Sequence, residues 1–197
     1  MYYALFPAAD DDGNMIGLTY APDHPARSYV RGQVLVDNPS AKPWEKPPGE
    51  PIRLTIKKGR EDAPLPTFLR EPVPLVNKQL LSVLRSAGVD NLDVYRAELY
   101  YADGRLASDD YYVFNLLGLV QAADLGKSRF DKGQPDRMIS MGFDALAVDP
   151  AAARNLLMFR LAENVSTILI HETVKHAIEG ARIPLIKALK TEDVAIL

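Results

Sequence analysis

Two histidines and a glutamate in the run His171-Glu172-Thr173-Val174-Lys175-His176 are the residues best equipped for chemistry in this chain. A His-Glu-x-x-His helix holds zinc between two imidazoles and uses the glutamate as general base. Here the second histidine comes one position late, and Lys175 stands where the ligand belongs. Residues four apart share a helix face, whereas residues five apart are rotated by about 140°, so a regular helix cannot bring both rings to one ion. The same residues make an ordinary solvated face. Glu172 pairs with Lys175 or His176 one turn on, Lys175 pairs with Glu179, and Glu172 suits the positive end of the first turn. A metal-dependent hydrolase built on His171 and Glu172 is accordingly the last-ranked of three functional readings.

The second reading comes from Arg53, Lys57, Lys58 and Arg60, the chain's notable basic cluster. Alternation of Ile52, Leu54 and Ile56 against Arg53, Thr55 and Lys57 predicts a strand with one basic face, which a small molecule or phosphate could use. No aromatic residues are interleaved for base stacking and no glycine-rich loop enters a helix, so a solvated edge strand guarded by lysine explains the cluster more simply. Gly126-Lys127-Ser128 ends like a phosphate loop but lacks its upstream glycine, since position 121 is Gln. Ser166-Thr167 has no flanking glycines for a nucleophile elbow, and His24 stands between Pro22 and Pro25 without a nearby ligand partner. The acidic groups Asp10-Asp11-Asp12, Glu61-Asp62 and Asp109-Asp110 all fall in expected loops, where solvated turns are the default and a basic protein partner is the functional option.

With no catalytic constellation, composition sets the frame. The 197 residues are 47% hydrophobic, enough for a real core in one domain or in a domain with an appendage. A net charge of -3 gives no strong field, which argues against broad capture of nucleic acid or an anionic membrane. The chain has no cysteine, which removes disulfides and thiolate metal sites and fits a reducing compartment, so a cytoplasmic protein without cofactor or metal is expected. Met1 to Phe6 has no basic flank and stops at Pro7, unlike a signal peptide, and no apolar run nears the roughly 18 residues that span a bilayer.

Eleven of the 15 prolines lie between Pro22 and Pro74, so extended segments and turns are expected there and long helices are not. Short strands are predicted over Tyr2–Phe6, Tyr29–Val36 and Ile52–Lys57, and Asn38–Pro51 reads as a surface excursion anchored by Trp44. From Thr67 onward the pattern is that of an α+β domain. Asn77 caps a helix that buries Leu80, Leu81, Leu84 and Ala87 and ends at Gly88. Leu92–Leu99 and Tyr111–Leu117 form a hairpin whose long loop ends in Asp109-Asp110. Further strands are expected at Met138–Phe143, Leu146–Val148, Leu156–Leu161 and Thr167–Ile170, with a capped turn at Asp149–Arg154 and a last helix from His171 to Gly180. The expected fold is thus α+β with mixed, mostly antiparallel short strands, divided into a Pro-rich region 1–66 and an α+β domain 67–197.

Several segments recur in this order in one family: Glu71-Pro-Val-Pro-Leu-Val-Asn-Lys-Gln-Leu-Leu-Ser-Val-Leu-Arg85, Asn91-Leu-Asp-Val-Tyr95, Tyr112-Val-Phe-Asn-Leu-Leu117, Gln121-Ala-Ala-Asp-Leu-Gly-Lys-Ser128 and Leu156-Leu-Met-Phe-Arg-Leu161 followed by Ile168-Leu-Ile170. The chain resembles the bacterial immunity proteins of polymorphic toxin systems first described from myxobacteria, over roughly residues 65–190. The resemblance implies a cytoplasmic, non-enzymatic inhibitor that binds a cognate toxin encoded by a neighbouring gene, as in the effector-immunity pairs of type VI secretion. It carries over no catalytic residue. Under that reading the expected anchors are Trp44, Tyr100 and Tyr101 together with Asp109 and Asp110, while a homodimer by strand addition is permitted and not required.

Overall fold

The computed structural model describes residues 1–20, 29, 31–59, 61–130 and 141–196; the side chains of Tyr20 and Trp44 lie outside that description. Among the described residues three sheets pack with the two helices Lys78–Ser86 and Glu172–Gly180. A six-stranded sheet has the order β2 (Leu18–Tyr20), β3 (Ile52–Ile56), β6 (Leu92–Tyr100), β7 (Leu106–Leu116), β5 (Leu75–Asn77), β4 (Phe68–Leu69). Within it β3 runs parallel to β6 and every other neighbour is antiparallel. A four-stranded antiparallel sheet has the order β10 (Met158–Arg160), β11 (Ile168–His171), β1 (Tyr2–Pro7), β12 (Ile186–Lys190). A small antiparallel pair joins β8 (Arg129–Phe130) to β9 (Phe143–Ala145). The fold is α+β with mixed, mostly antiparallel sheets, as the sequence led us to expect.

Helix α1 (Lys78–Ser86) begins where Asn77 sits in extended backbone and its Oδ1 accepts the Leu80 amide at 2.8 Å, which satisfies one donor that a helix start leaves free. Its Leu80, Leu81 and Leu84 are buried, and Gly88 closes the turn beyond it at φ +94°. Helix α2 (Glu172–Gly180) buries Val174 and Ile178. Both helices pack into a core that also takes Leu5, Met158, Ile168 and Ile170 from the four-stranded sheet and Phe68, Val76, Phe114 and Leu116 from the six-stranded one. Truncating any of these leucines to alanine costs about 2–5 kcal/mol.

A second core lies on the opposite face of the six-stranded sheet, where Leu18, Leu54, Leu75, Leu99, Tyr111 and Val113 meet Ile16, Tyr29 and Leu35 from the Pro-rich region. That region is fastened from both sides of a turn. Asn115, fully buried, donates its Nδ2 to the Gln33 carbonyl oxygen at 2.6 Å, and the Gly118 amide donates to the Gly32 carbonyl oxygen at 2.9 Å.

Several expectations are corrected. Residues 31–36 form a turn and irregular chain instead of a strand, because Gly32 adopts φ +57° and leaves Val34 and Val36 pointing to solvent at 66% and 46% exposure. The excursion at Asn38–Pro51 needs no such change: it is irregular chain with a 3-10 turn at Pro43–Glu45 that includes Trp44. The strand expected at Met138–Phe143 falls partly outside the described residues, and the observed strand is β9; Val148 makes only a bridge to Ala123. Strand β12 was missed altogether. Its Ile-Lys-Ala-Leu-Lys composition favours helix, but pairing along β1 overrides propensity.

Candidate partner-binding face

The alternation in β3 sends Ile52, Leu54 and Ile56 into the second core and turns Arg53 and Thr55 to the other side. Parallel pairing with β6 sets Arg53 beside Glu98 and Thr55 beside Tyr100. The helices cover this side of the sheet at Val94, Tyr112, Phe114 and Leu116, and the end that carries Arg53, Arg96, Glu98 and Tyr100 extends past them. The Arg53 guanidinium carbon lies 5.4 Å from the Tyr100 ring centroid, and the Tyr100 hydroxyl donates to Glu98 Oε2 at 2.5 Å. Its bond to Glu98 holds the phenol pKa above the ordinary range, with partial burial adding to the effect and Arg53 opposing it. A partly buried tyrosine is thereby held in one orientation.

Tyr101 points the other way and packs against the second core. Across the hairpin tip the Arg105 guanidinium lies 4.9 Å from the Tyr101 ring centroid, and its Nε donates to Asp103 Oδ2 at 2.8 Å. This side-chain bond, reinforced by the Arg105 amide, holds the Asp103 carboxyl below its usual range. Gly104 at φ +87° makes the turn, and Leu106 stands 52% exposed beside it.

Asp109 and Asp110 are not in the hairpin loop. They sit inside β7, where the strand advances three residues from Ser108 to Tyr111 while its partner advances two from Leu99 to Ala97. The extra residue is a bulge, which interrupts alternation and leaves both carboxylates exposed. Asp110 Oδ1 lies 3.6 Å from Lys78 Nζ, with both side chains about two-thirds exposed, so the pair contributes about 0–1 kcal/mol.

The remaining candidates serve structure. His171 caps α2, its Nδ1 accepting the Thr173 amide at 3.3 Å; Glu172 takes the amino group of Met1 at 3.1 Å, and Lys175 Nζ reaches Glu179 at 2.6 Å. Among the described residues no three His, Cys, Asp or Glu converge as a metal site. Ser128 bonds both backbone groups of Ala147, and Asp124 Oδ1 accepts the amides of Gly126 and Lys127, so that glycine-lysine-serine run is a turn. Ser166 and Thr167 both donate to Asn164 Oδ1. His24, Arg60 and the Trp44 side chain lie outside the described residues. Sequence reasoning missed Arg53 and Glu98 as members of this face. The outward parity of Arg53 was readable, but its parallel partner was not.

A polar sheet end with a pre-set tyrosine lies beside the hairpin tip and an acidic bulge, a grouping of the aromatic and charged side chains from which protein interfaces draw their anchors. The chain belongs to the Immunity protein family (Imm11), whose model it matches over residues 2–193, including the Pro-rich region that the resemblance in sequence did not reach. It is therefore an immunity protein of a toxin system and not an enzyme. No curated protein matches it. Among the described residues no helix is long and apolar enough to cross a membrane.

Proposed function

We propose that the protein neutralises a cognate toxin encoded by a neighbouring gene, in the cytoplasm of the producing cell and its kin, by docking the Arg53–Glu98–Tyr100 face and the Asp109-Asp110 bulge against the toxin domain. Delivery of that toxin by type VI secretion, and a lineage shared with the myxobacterial members, belong to the same reading. The pre-oriented Tyr100 carries it. A tyrosine whose hydroxyl and ring are already engaged loses little freedom on binding, and tyrosine and arginine supply a large share of interface energy. Tyr101 and Arg105 extend the surface at the tip, and Trp44 is a further anchor from the excursion.

Co-expression with the adjacent gene, pull-down and growth rescue test the proposal. Rescue by the wild type with failure by Tyr100→Ala, at equal soluble yield, supports it. Rescue undiminished by changes at Arg53, Tyr100, Asp109 and Asp110 places the contact elsewhere.

A further inference from the structure

Strand β12 stands at the outer edge of the four-stranded sheet and pairs with β1 alone. Its backbone groups divide between two sides. The Glu172 amide donates to the Met1 carbonyl oxygen at 2.9 Å and the Ala8 amide to the Leu185 carbonyl oxygen at 3.0 Å, so odd residues of β1 bond β11 and even ones bond β12. Bonded and non-bonded pairs alternate along an antiparallel ladder, which turns the N–H and C=O of Lys187 and Leu189 toward β1 and those of Ile186 and Ala188 outward. Among the described residues no hydrogen bond reaches the outward groups of Ile186 and Ala188. The strand has neither a proline nor a bulge to spoil them as a pairing edge.

Free ladder groups are a template for a further strand, and the side chains beside them select it. Ile186 and Ala188 pack against the first core, while Lys187, Leu189 and Lys190 are exposed. Arg182, Lys187 and Lys190 have no ion-pair partner among the described residues, and no acid occurs from 182 to 190. Pairing β12 with the same strand of a second copy would set these cations against their own kind across the seam, which is how lysine on an edge discourages self-association. An acidic strand meets the same charges as attraction. β12 also ends at a cavity of about 310 Å³ bounded by Met1, Tyr2, Leu146, Val148, Pro150 and Lys190. Since Lys190 belongs to both, a segment laid along the strand reaches the cavity, whose largely apolar wall suits an aliphatic side chain.

We propose that β12 is a strand-addition site for an extended acidic segment of the toxin, with an aliphatic side chain of that segment seated in the cavity beyond Lys190. Main-chain bonds to Ile186 and Ala188 supply affinity, and the lysines and the cavity supply selectivity. The inference rests on the reading of the protein as a toxin inhibitor and adds a contact on the other sheet from Tyr100.

Amide exchange followed by NMR on the full chain, free and bound to the toxin domain of the neighbouring gene, tests it. In the free protein the Ile186 and Ala188 amides exchange fast while Lys187 and Leu189, bonded to β1, exchange slowly; binding slows the first two on the order of a hundredfold. Ala188→Pro removes an outward N–H and puts a ring in the path of the added strand while sparing the bonds to β1, so affinity falls about tenfold at nearly unchanged Tm. Lys187→Glu with Lys190→Glu, both exposed, weakens binding about tenfold at low salt and less as salt rises, and serves alone if Ala188→Pro does not fold. A complex in which the Ile186 and Ala188 amides still exchange fast, or undiminished affinity in the charge-reversed variant, overturns strand addition and leaves toxin inhibition standing. Absence of any complex overturns both. Protection of these amides in the free protein that grows with its concentration assigns the edge to a second copy and overturns the acidic segment.

Discussion

The Arg53 guanidinium lies over the Tyr100 ring although the two residues come from parallel strands joined only through the long course of the chain between them. That stacking makes the pair a unit. Tyr100→Ala is expected to weaken toxin binding by about 2 kcal/mol, close to thirtyfold, and Arg53→Ala by less, with a coupling of about 0.5–1 kcal/mol in a double-mutant cycle. Calorimetry on the purified pair measures the binding loss and urea melts measure stability. Matching losses in both would assign Tyr100 to the framework.

Reversing the bulge charges with Asp109→Lys and Asp110→Lys is expected to slow association about tenfold at low salt, a difference that shrinks as ionic strength rises. Both carboxylates are exposed, so Tm should hardly move. Stopped-flow association at several salt concentrations checks this; a salt-independent change in off-rate alone would contradict it.

Gly32 has no room for a side chain. A Cβ there would lie 2.6 Å from the Leu116 oxygen and 2.7 Å from the backbone nitrogen and oxygen of Gly118, at a φ of +57°. These are backbone atoms that cannot rotate away, so Gly32→Ala should cost about 2–4 kcal/mol from the clash and the left-handed conformation together. Urea unfolding reads the loss. A change below about 0.5 kcal/mol would show that the Pro-rich region is not held at this point.

Tyr29 and Tyr111 are buried, and burial raises both phenol pKa values well above the ordinary range; Tyr111 also donates to the Pro66 carbonyl oxygen at 2.8 Å. A folded pKa above the unfolded one means that the contribution to stability is complete below pH 10 and is lost as pH rises beyond it. Absorbance at alkaline pH should show these two of the nine tyrosines ionising only together with unfolding. Full titration of all nine in the native state would contradict that burial.

Asn77 illustrates how much local chemistry was legible: a cap, three leucines on one face and a closing glycine specify α1 without tertiary help. The Asn77→Ala variant should lose about 1 kcal/mol, measured by thermal melt. The strand at Ile52–Ile56 and the hairpin were readable for the same reason, since alternation is a local property. The parallel register of β3 on β6, the bulge at Asp109-Asp110 and strand β12 were not, because each is set by a partner distant in sequence. Of the proposed docking face, sequence alone offered Tyr100, the two aspartates and the outward parity of Arg53, and pairing across strands brought Arg53 and Glu98 together beside Tyr100.

Strand β1 lies between β11 and β12, so residues 2–7 find both neighbours only at residues 168–171 and 186–190, far along the chain. The four-stranded sheet cannot close until synthesis has passed β12. A product cut before β12 leaves β1 with an open edge, ready to pair with any other extended chain.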